Sequence, residues 1–334
     1  MTICCLNMRI RRFAFGFGLA TVVALAALSG SANAGAILTA AGIGAGFTLS
    51  TFVDQIPNGG GVGPVGITNT SGGNIMVTGY NNGEIRVFSD SDGQHWSAGT
   101  AAGTNYCCGN IAGLASVAGR YYVARQASGD VIEVDAAGNL LGVIAGGLPA
   151  ATGIVADAAT NKLYVSTLGN NFIAAIDLTT HAVTTLVNVV ADGLSVSGNG
   201  GILYVAAGDQ HIRGYSTSTG LQVFDSGFIA GGIDGTATGS GSLLGNIFVN
   251  TNDGKLIEVD LNTLMQTIIV TGGSRGDFVS VDTNNGTLLF TQTDSVLRLI
   301  APVGGGFGDI PEPASLALLG LGLAGLGWSR RRKV

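Results

Sequence analysis

Asp192, Asp234 and Asp277 stand at one equivalent place in successive copies of an internal repeat, and Thr152 holds that place one copy earlier. Carboxylates that converge from neighbouring units offer oxygen ligands to a hard cation, so these three are a candidate Ca²⁺ site. The same residues have a plainer reading, because an Asp-Gly pair also makes the turn into the strand that follows. Like charges crowded on one rim repel unless a cation or solvent relieves them.

Other reactive side chains are sparse. Cys107 and Cys108 are adjacent in the segment Asn105-Tyr106-Cys107-Cys108-Gly109-Asn110. Adjacent cysteines close no useful loop. In an oxidising compartment they allow a vicinal disulfide that stiffens the loop beside Tyr106, and the alternative is two thiols without a role. The pair alone lacks the further ligands a metal needs. His95, His181 and His211 fall at unrelated repeat positions, and no GxSxG, HExxH, Walker or dinucleotide fingerprint stands in a credible context. Asp90, Asp92, Asn170, Asp253 and Asp294 read as turn formers. No catalytic residue and no cofactor other than Ca²⁺ is assigned.

The elements that must carry these residues are written most plainly at 162–180, KLYVSTLGNNFIAAIDLTT, an apolar strand, a Gly-Asn-Asn turn and a second strand. Gly and Asn tolerate the positive φ of a tight hairpin, and β-branched and aromatic residues fit the pleated surface. The pattern recurs six times, with Val77, Val123, Val165, Val205, Val249 and Phe290 in one column. A period of roughly 40–45 residues carrying several short strands marks a β-propeller blade. Strands such as ILYVAA are apolar on both faces, as blades covered by neighbours must be. The expectation is an all-β, six-bladed propeller over residues 46–302, with room for a seventh degenerate unit in residues 35–63. The segment 46–54 reads as a lone strand, while the sixth copy runs into Ala301-Pro302 and lacks its fourth strand. The one should complete the other and close the ring.

Lys162 to Thr167 followed by Ile173 to Asp177 resembles the YVTN repeat of bacterial β-propellers, a likeness covering most of residues 64–300. The fifth copy departs from it, with Gly235-Thr236-Ala237-Thr238-Gly239 in place of a usual first strand. The resemblance implies a fold and no activity.

Both ends read as targeting segments. Arg9, Arg11 and Arg12 precede an apolar run and an Ala32-Asn33-Ala34 site, so 1–34 is a signal peptide cleaved after Ala34, followed by a flexible Gly-rich lead-in at 35–45. A Gly-rich linker at 303–310 leads to a tail at 311–334 with Pro311-Glu312-Pro313, an apolar stretch from Ala314 to Trp328, and Arg330, Arg331, Arg332 and Lys333. This tail is similar to the PEP-CTERM sorting domain, which implies export, processing by an exosortase, and bacteria that make extracellular polysaccharide. Fifteen residues make a helix of about 22 Å, shorter than the roughly 30 Å apolar core of a bilayer, which suits a transient inner-membrane anchor. The basic end stays cytoplasmic and leaves the body outside.

Without its ends the chain keeps eight of its 15 Lys and Arg and 20 of its 21 Asp and Glu, a formal charge of −12 over 35–310. An acidic body argues against nucleic acid and anionic membranes as partners. The expected function is that of an exported, monomeric surface or matrix propeller, noncatalytic, binding polysaccharide or protein at its rim. The alternative is an extracellular metal-dependent propeller enzyme of the lactonase or lyase type.

Overall fold

The computed structural model describes residues 35–106 and 110–308. They form six sheets arranged as the blades of one ring. From the channel outwards, blade one runs through Pro64–Asn69, Asn74–Gly79, Glu84–Ser89 and the short Thr100–Ala101. Blades two, three and four begin at Ile111–Val117, Ala151–Asp157 and Ala191–Val196, and each ends in an outer strand, Leu140–Gly146, Val183–Asn188 and Gln222–Phe228. Blade five begins at Ile233–Gly241 and blade six at Val279–Asp282. No seventh blade is present among the described residues.

The apolar strands divide their side chains between two neighbours. Six hydrophobic clusters result, one in each gap between blades. Tyr122 and Val165 meet between blades two and three, and Phe248 and Phe290 between blades five and six. Layers covered on both faces account for strands without polar alternation.

The ring closes as its defects require. Thr48–Asp54 pairs antiparallel with Ser295–Ile300 in register Thr48↔Ile300 and Leu49↔Leu299, supplying the outer strand of blade six. Its last residues, Val53 and Asp54, also pair in parallel with Gln94 and His95 of blade one. An early strand thus ties the last blade to the first, and its Phe52 and Val53 are fully buried.

Three segments differ from their expected form. The lead-in at 35–45 is ordered: Ile37–Leu38 pairs with Gln266–Thr271, the outer strand of blade five, and Thr39 caps a short helix, Ala40–Ala45. Its small residues permit a close seat, for a Cβ on Gly42 would lie 2.6 Å from the Ile269 carbonyl oxygen. The segment covers an edge that would otherwise be open. In the linker at 303–310, Gly305–Phe307 pairs with Gly239–Gly241, and Phe307 is buried edge-on against Phe248 at 4.8 Å. The Gly-rich start of the fifth copy is a nine-residue strand, Ile233–Gly241.

Glycine there serves close approach. Gly66, Gly113, Gly153, Gly193 and Gly235 occupy one column on five inner strands, and each lacks a Cβ where the next blade's backbone arrives. A Cβ on Gly153 would sit 2.0 Å from the Asp192 carbonyl oxygen, and one on Gly193 would sit 1.9 Å from that of Asp234. The residue before each glycine is therefore held at the waist of the ring. In blade six the column holds Phe278.

Candidate functional site at the channel mouth

That geometry sets Asp192, Asp234 and Asp277 side by side. The three belong to consecutive blades and precede Gly193, Gly235 and Phe278. Asp234 is 4% exposed and Asp277 is 7% exposed, while Asp192 is half-buried at the edge of a cavity of about 110 Å³. Asp234 lies within hydrogen-bonding reach of both other carboxyls. Its Oδ1 is sealed from solvent with no hydrogen-bond partner.

Arg275 completes the cluster. Its Nε donates to Asp277 Oδ1 at 2.7 Å, and its charge acts on all three aspartates. The Asp277 backbone N–H donates to Thr291 Oγ1 at 3.0 Å, which fixes that strand entry. On the far side of the cavity Tyr80 donates to Gln126 Oε1, Gln126 Nε2 donates to Thr152 Oγ1 at 3.0 Å, and Asn110 Nδ2 donates to the Tyr80 oxygen at 3.1 Å. Thr152, marked by its repeat position, thus belongs to the same mouth. Tyr80 and Gln126 lie in the turns that follow Asn74–Gly79 and Arg120–Arg125.

One guanidinium does not balance three carboxyls so close together. Burial, then the charge of Asp277, pushes the Asp192 carboxyl up to about 7, against the pull of Asp234 and Arg275. Burial and the charges of Asp192 and Asp277 hold Asp234 well above the usual carboxylate range. Burial also raises Asp277, though Arg275 opposes it. Carboxyls raised in this way hold a proton to higher pH than a free carboxyl does.

Among the described residues no group of three or more His, Cys, Asp or Glu side chains is disposed to hold an ion, and Arg275 already supplies a positive charge to Asp277. His95 pairs with Asp54, and His211 Nδ1 lies 2.6 Å from Asp225 Oδ1, both away from this mouth. Cys107 and Cys108 lie outside the described residues. So do Ala34 and the sorting tail with Pro311, Glu312, Pro313, Arg330, Arg331 and Arg332.

A second cavity of about 300 Å³ occupies the channel behind this mouth, lined by small and hydroxyl side chains such as Ser116, Ser195 and Thr236. Phe278 lines both cavities, and Gly308 lines the far one, where its N–H donates to the Thr238 carbonyl at 2.9 Å. Gly308, the last residue described, therefore sits at the end of the channel away from the aspartates. Residues 309–332 match the PEP-CTERM protein-sorting motif.

The C-terminus is a PEP-CTERM sorting signal. It indicates an exported protein of the cell envelope or exterior and implies processing by an exosortase. Among the described residues no helix is long and apolar enough to cross a membrane, and the apolar stretch of the PEP-CTERM tail lies outside them. The body is similar to solved propellers. A gluconolactonase from Xanthomonas campestris aligns over 80% of this chain and 95% of its own at TM-score 0.65 and 14% identity. A luciferin-regenerating enzyme aligns over 79% and 99% at 0.60 and 13%. A streptogramin B lyase aligns over 76% and 98% at 0.52 and 15%. At such identities the likeness establishes the fold alone. No curated protein matches the chain by sequence.

Proposed function

We propose that this PEP-CTERM protein is a noncatalytic binding propeller of the cell surface or extracellular matrix, which holds a hydroxyl-rich ligand, a polysaccharide end, at its aspartate mouth. The observation that carries this reading is the cavity of about 110 Å³, where Asp192 and Asp277 offer acceptors and Arg275 and Gln126 offer N–H donors, beside the Tyr80 ring and apolar Val62, Val65 and Leu168. Paired donors and acceptors beside an aromatic ring suit sugar hydroxyls. Export by way of the sorting tail brings the protein to where such polymers lie. The test is a glycan array probed with the secreted protein, with and without Ca²⁺. Glycan binding that Asp192→Asn or Tyr80→Phe weakens supports the reading, and a blank array overturns it.

A catalytic reading has one observation in its favour. A carboxyl held near 7 beside a guanidinium is suited to give or take a proton. Assay of the secreted protein on lactones and polysaccharides with added Ca²⁺ tests it, with turnover lost in Asp192→Asn as the supporting result.

A further inference from the structure

We propose that the end of the propeller away from the aspartates docks on a lipid bilayer, through an uncharged apolar patch at the root of the sorting tail. The patch is separate from the saccharide mouth, and its partner follows from the tail. Three turns meet there. In blade five the turn 242–245, Ser-Leu-Leu-Gly, follows the inner strand, and the turn 261–265, Leu-Asn-Thr-Leu-Met, precedes the outer one. The third, Ala301 to Gly304, leads from blade six to Gly305–Phe307. The Leu261 N–H donates to the Gly245 carbonyl at 2.8 Å, and the Ser242 N–H donates to the Gly304 carbonyl at 2.8 Å. The three turns therefore lie side by side.

Their apolar side chains are bare. Leu244 is 78% exposed and Met265 64%, Val303 is wholly exposed, and Leu264 stands beside Met265 in the same turn. None of the three turns holds a charged residue. The closest acid along the chain, Asp260, has its carboxylate engaged by the N–H groups of Asn262 and Thr263. On a body of formal charge −12 such a stretch stands apart. Exposed apolar patches mark contacts with proteins or membranes.

The tether selects the membrane. The Gly308 N–H is held by the Thr238 carbonyl of blade five at 2.9 Å, and the sorting motif begins at the next residue. Only residues 309–313 separate Gly308 from Ala314, where the apolar stretch begins. An extended chain covers about 3.3–3.6 Å per residue, so a tail seated in a bilayer keeps Gly308 within about 22 Å of its surface. A surface tethered so closely meets the lipid at high effective concentration, an advantage that a free second copy lacks. The patch then buries apolar area in the interface without desolvating a charge. Asp234 stands near the start of the nine-residue strand Ile233–Gly241, and Leu244 lies past its end. Such a strand spans about 30 Å, so docking turns the aspartate mouth away from the membrane.

The experiment places the exported protein, tail included, in vesicles of phosphatidylcholine brominated on its acyl chains, which quenches tryptophan on contact. This lipid has no net charge and does not repel an acidic body. Trp328 of the tail reports insertion, and Trp328→Phe leaves only the buried Trp96 as background. In that background Leu244→Trp and Met265→Trp should each show at least a twofold loss of their added emission. Val190→Trp, an exposed site beside the inner strand of Asp192, should show none. Adding Val303→Asp, a change at a fully exposed site checked by its melting curve, should restore the emission of Met265→Trp. Quenching of Trp328 alone overturns the docking and leaves the anchoring tail standing. No quenching of Trp328 overturns both. Equal quenching in Val190→Trp, or quenching that Val303→Asp does not relieve, overturns the patch as the contact. Sites shielded from aqueous iodide yet unquenched by the brominated lipid, in a protein that sediments as a dimer, would make the occupant a second copy and overturn the lipid.

Discussion

Arg298 Nη1 donates to Asp282 Oδ2 at 2.9 Å, joining two blade-six side chains that are 5% and 0% exposed. The same guanidinium donates from Nε to Asp92 Oδ1 at 2.8 Å, reaches Asp90, and lies 5.1 Å above the ring of Phe52. One side chain therefore ties blade six to the closing strand and to a turn of blade one. Losing one partner of a buried pair leaves an uncompensated charge, which costs about 3–5 kcal/mol. Arg298→Met should lower the melting temperature accordingly. Burial raises the Asp282 carboxyl and Arg298 opposes it. In the variant Asp282 escapes its penalty by taking a proton, so the gap from wild type should narrow between pH 8 and pH 4. A gap independent of pH would remove Asp282 from the account.

The closing strand makes its own prediction. Phe52 is fully buried against Phe88 at 6.1 Å, and Phe52→Ala should cost about 3–5 kcal/mol. Deleting Gly46 to Asp54 bares the edge of blade six and should destabilise the whole ring. A deleted protein that melts like the intact one and elutes as a monomer would show that the strand does not close it.

Much of this was legible in the sequence because it repeats. The column from Val77 to Phe290 fixed the number of blades, and the unpaired strand near Thr48 matched the strand missing after Ile300. What stayed hidden does not repeat. Ile37–Leu38 and Gly305–Phe307 join blade five through pairings more than 60 residues distant, with no hairpin beside them to announce a partner. The aspartate column was visible, since it is part of the repeat. Arg275 was not, because nothing in a period of about 40 residues distinguishes one guanidinium from its surroundings.

The glycine column predicts an unusually costly exchange of small residues. In Gly193→Ala the new methyl would stand 1.9 Å from the Asp234 carbonyl oxygen, a backbone atom that cannot swing aside. The inner strands of blades four and five must part, at a cost of about 1–3 kcal/mol or more. Gly142→Ala, with nothing within 4 Å, is the control. Equal melting of the two variants would dismiss the close approach as the reason for the column.

Processing of the PEP-CTERM tail is checked by intact mass of the secreted protein from its native host. The expected mass begins near Gly35 and ends near Pro311. A mass that still includes Ala314 to Val334 would refute removal of the tail.

The aspartates at the waist and those at the turns should bend the stability curve in opposite directions. Asp177 accepts from the N–H groups of Thr179 at 2.9 Å and Thr180 at 2.8 Å, and Asp260 accepts in the same way from Asn262 and Thr263. Backbone donors, Thr180 first in Asp177 and Thr263 first in Asp260, hold both carboxyls below their usual range. A depressed carboxyl adds stability above its unfolded value of about 3.9 and loses it as pH falls through the folded value. Asp192 does the reverse. Burial, then Asp277, raises it to about 7, so the folded protein keeps a proton that the unfolded chain releases at lower pH. Its contribution is complete below about pH 4, declines as pH rises towards 7, and is flat beyond. The melting temperature should therefore climb from strong acid to about pH 4 and fall again towards neutrality. Asp192→Asn holds no proton to lose, so it should melt like wild type at pH 4 and above it at pH 8. Asp234 and Asp277, raised likewise, keep part of the decline in the variant. A constant difference between the two proteins across that range would mean that Asp192 does not titrate there.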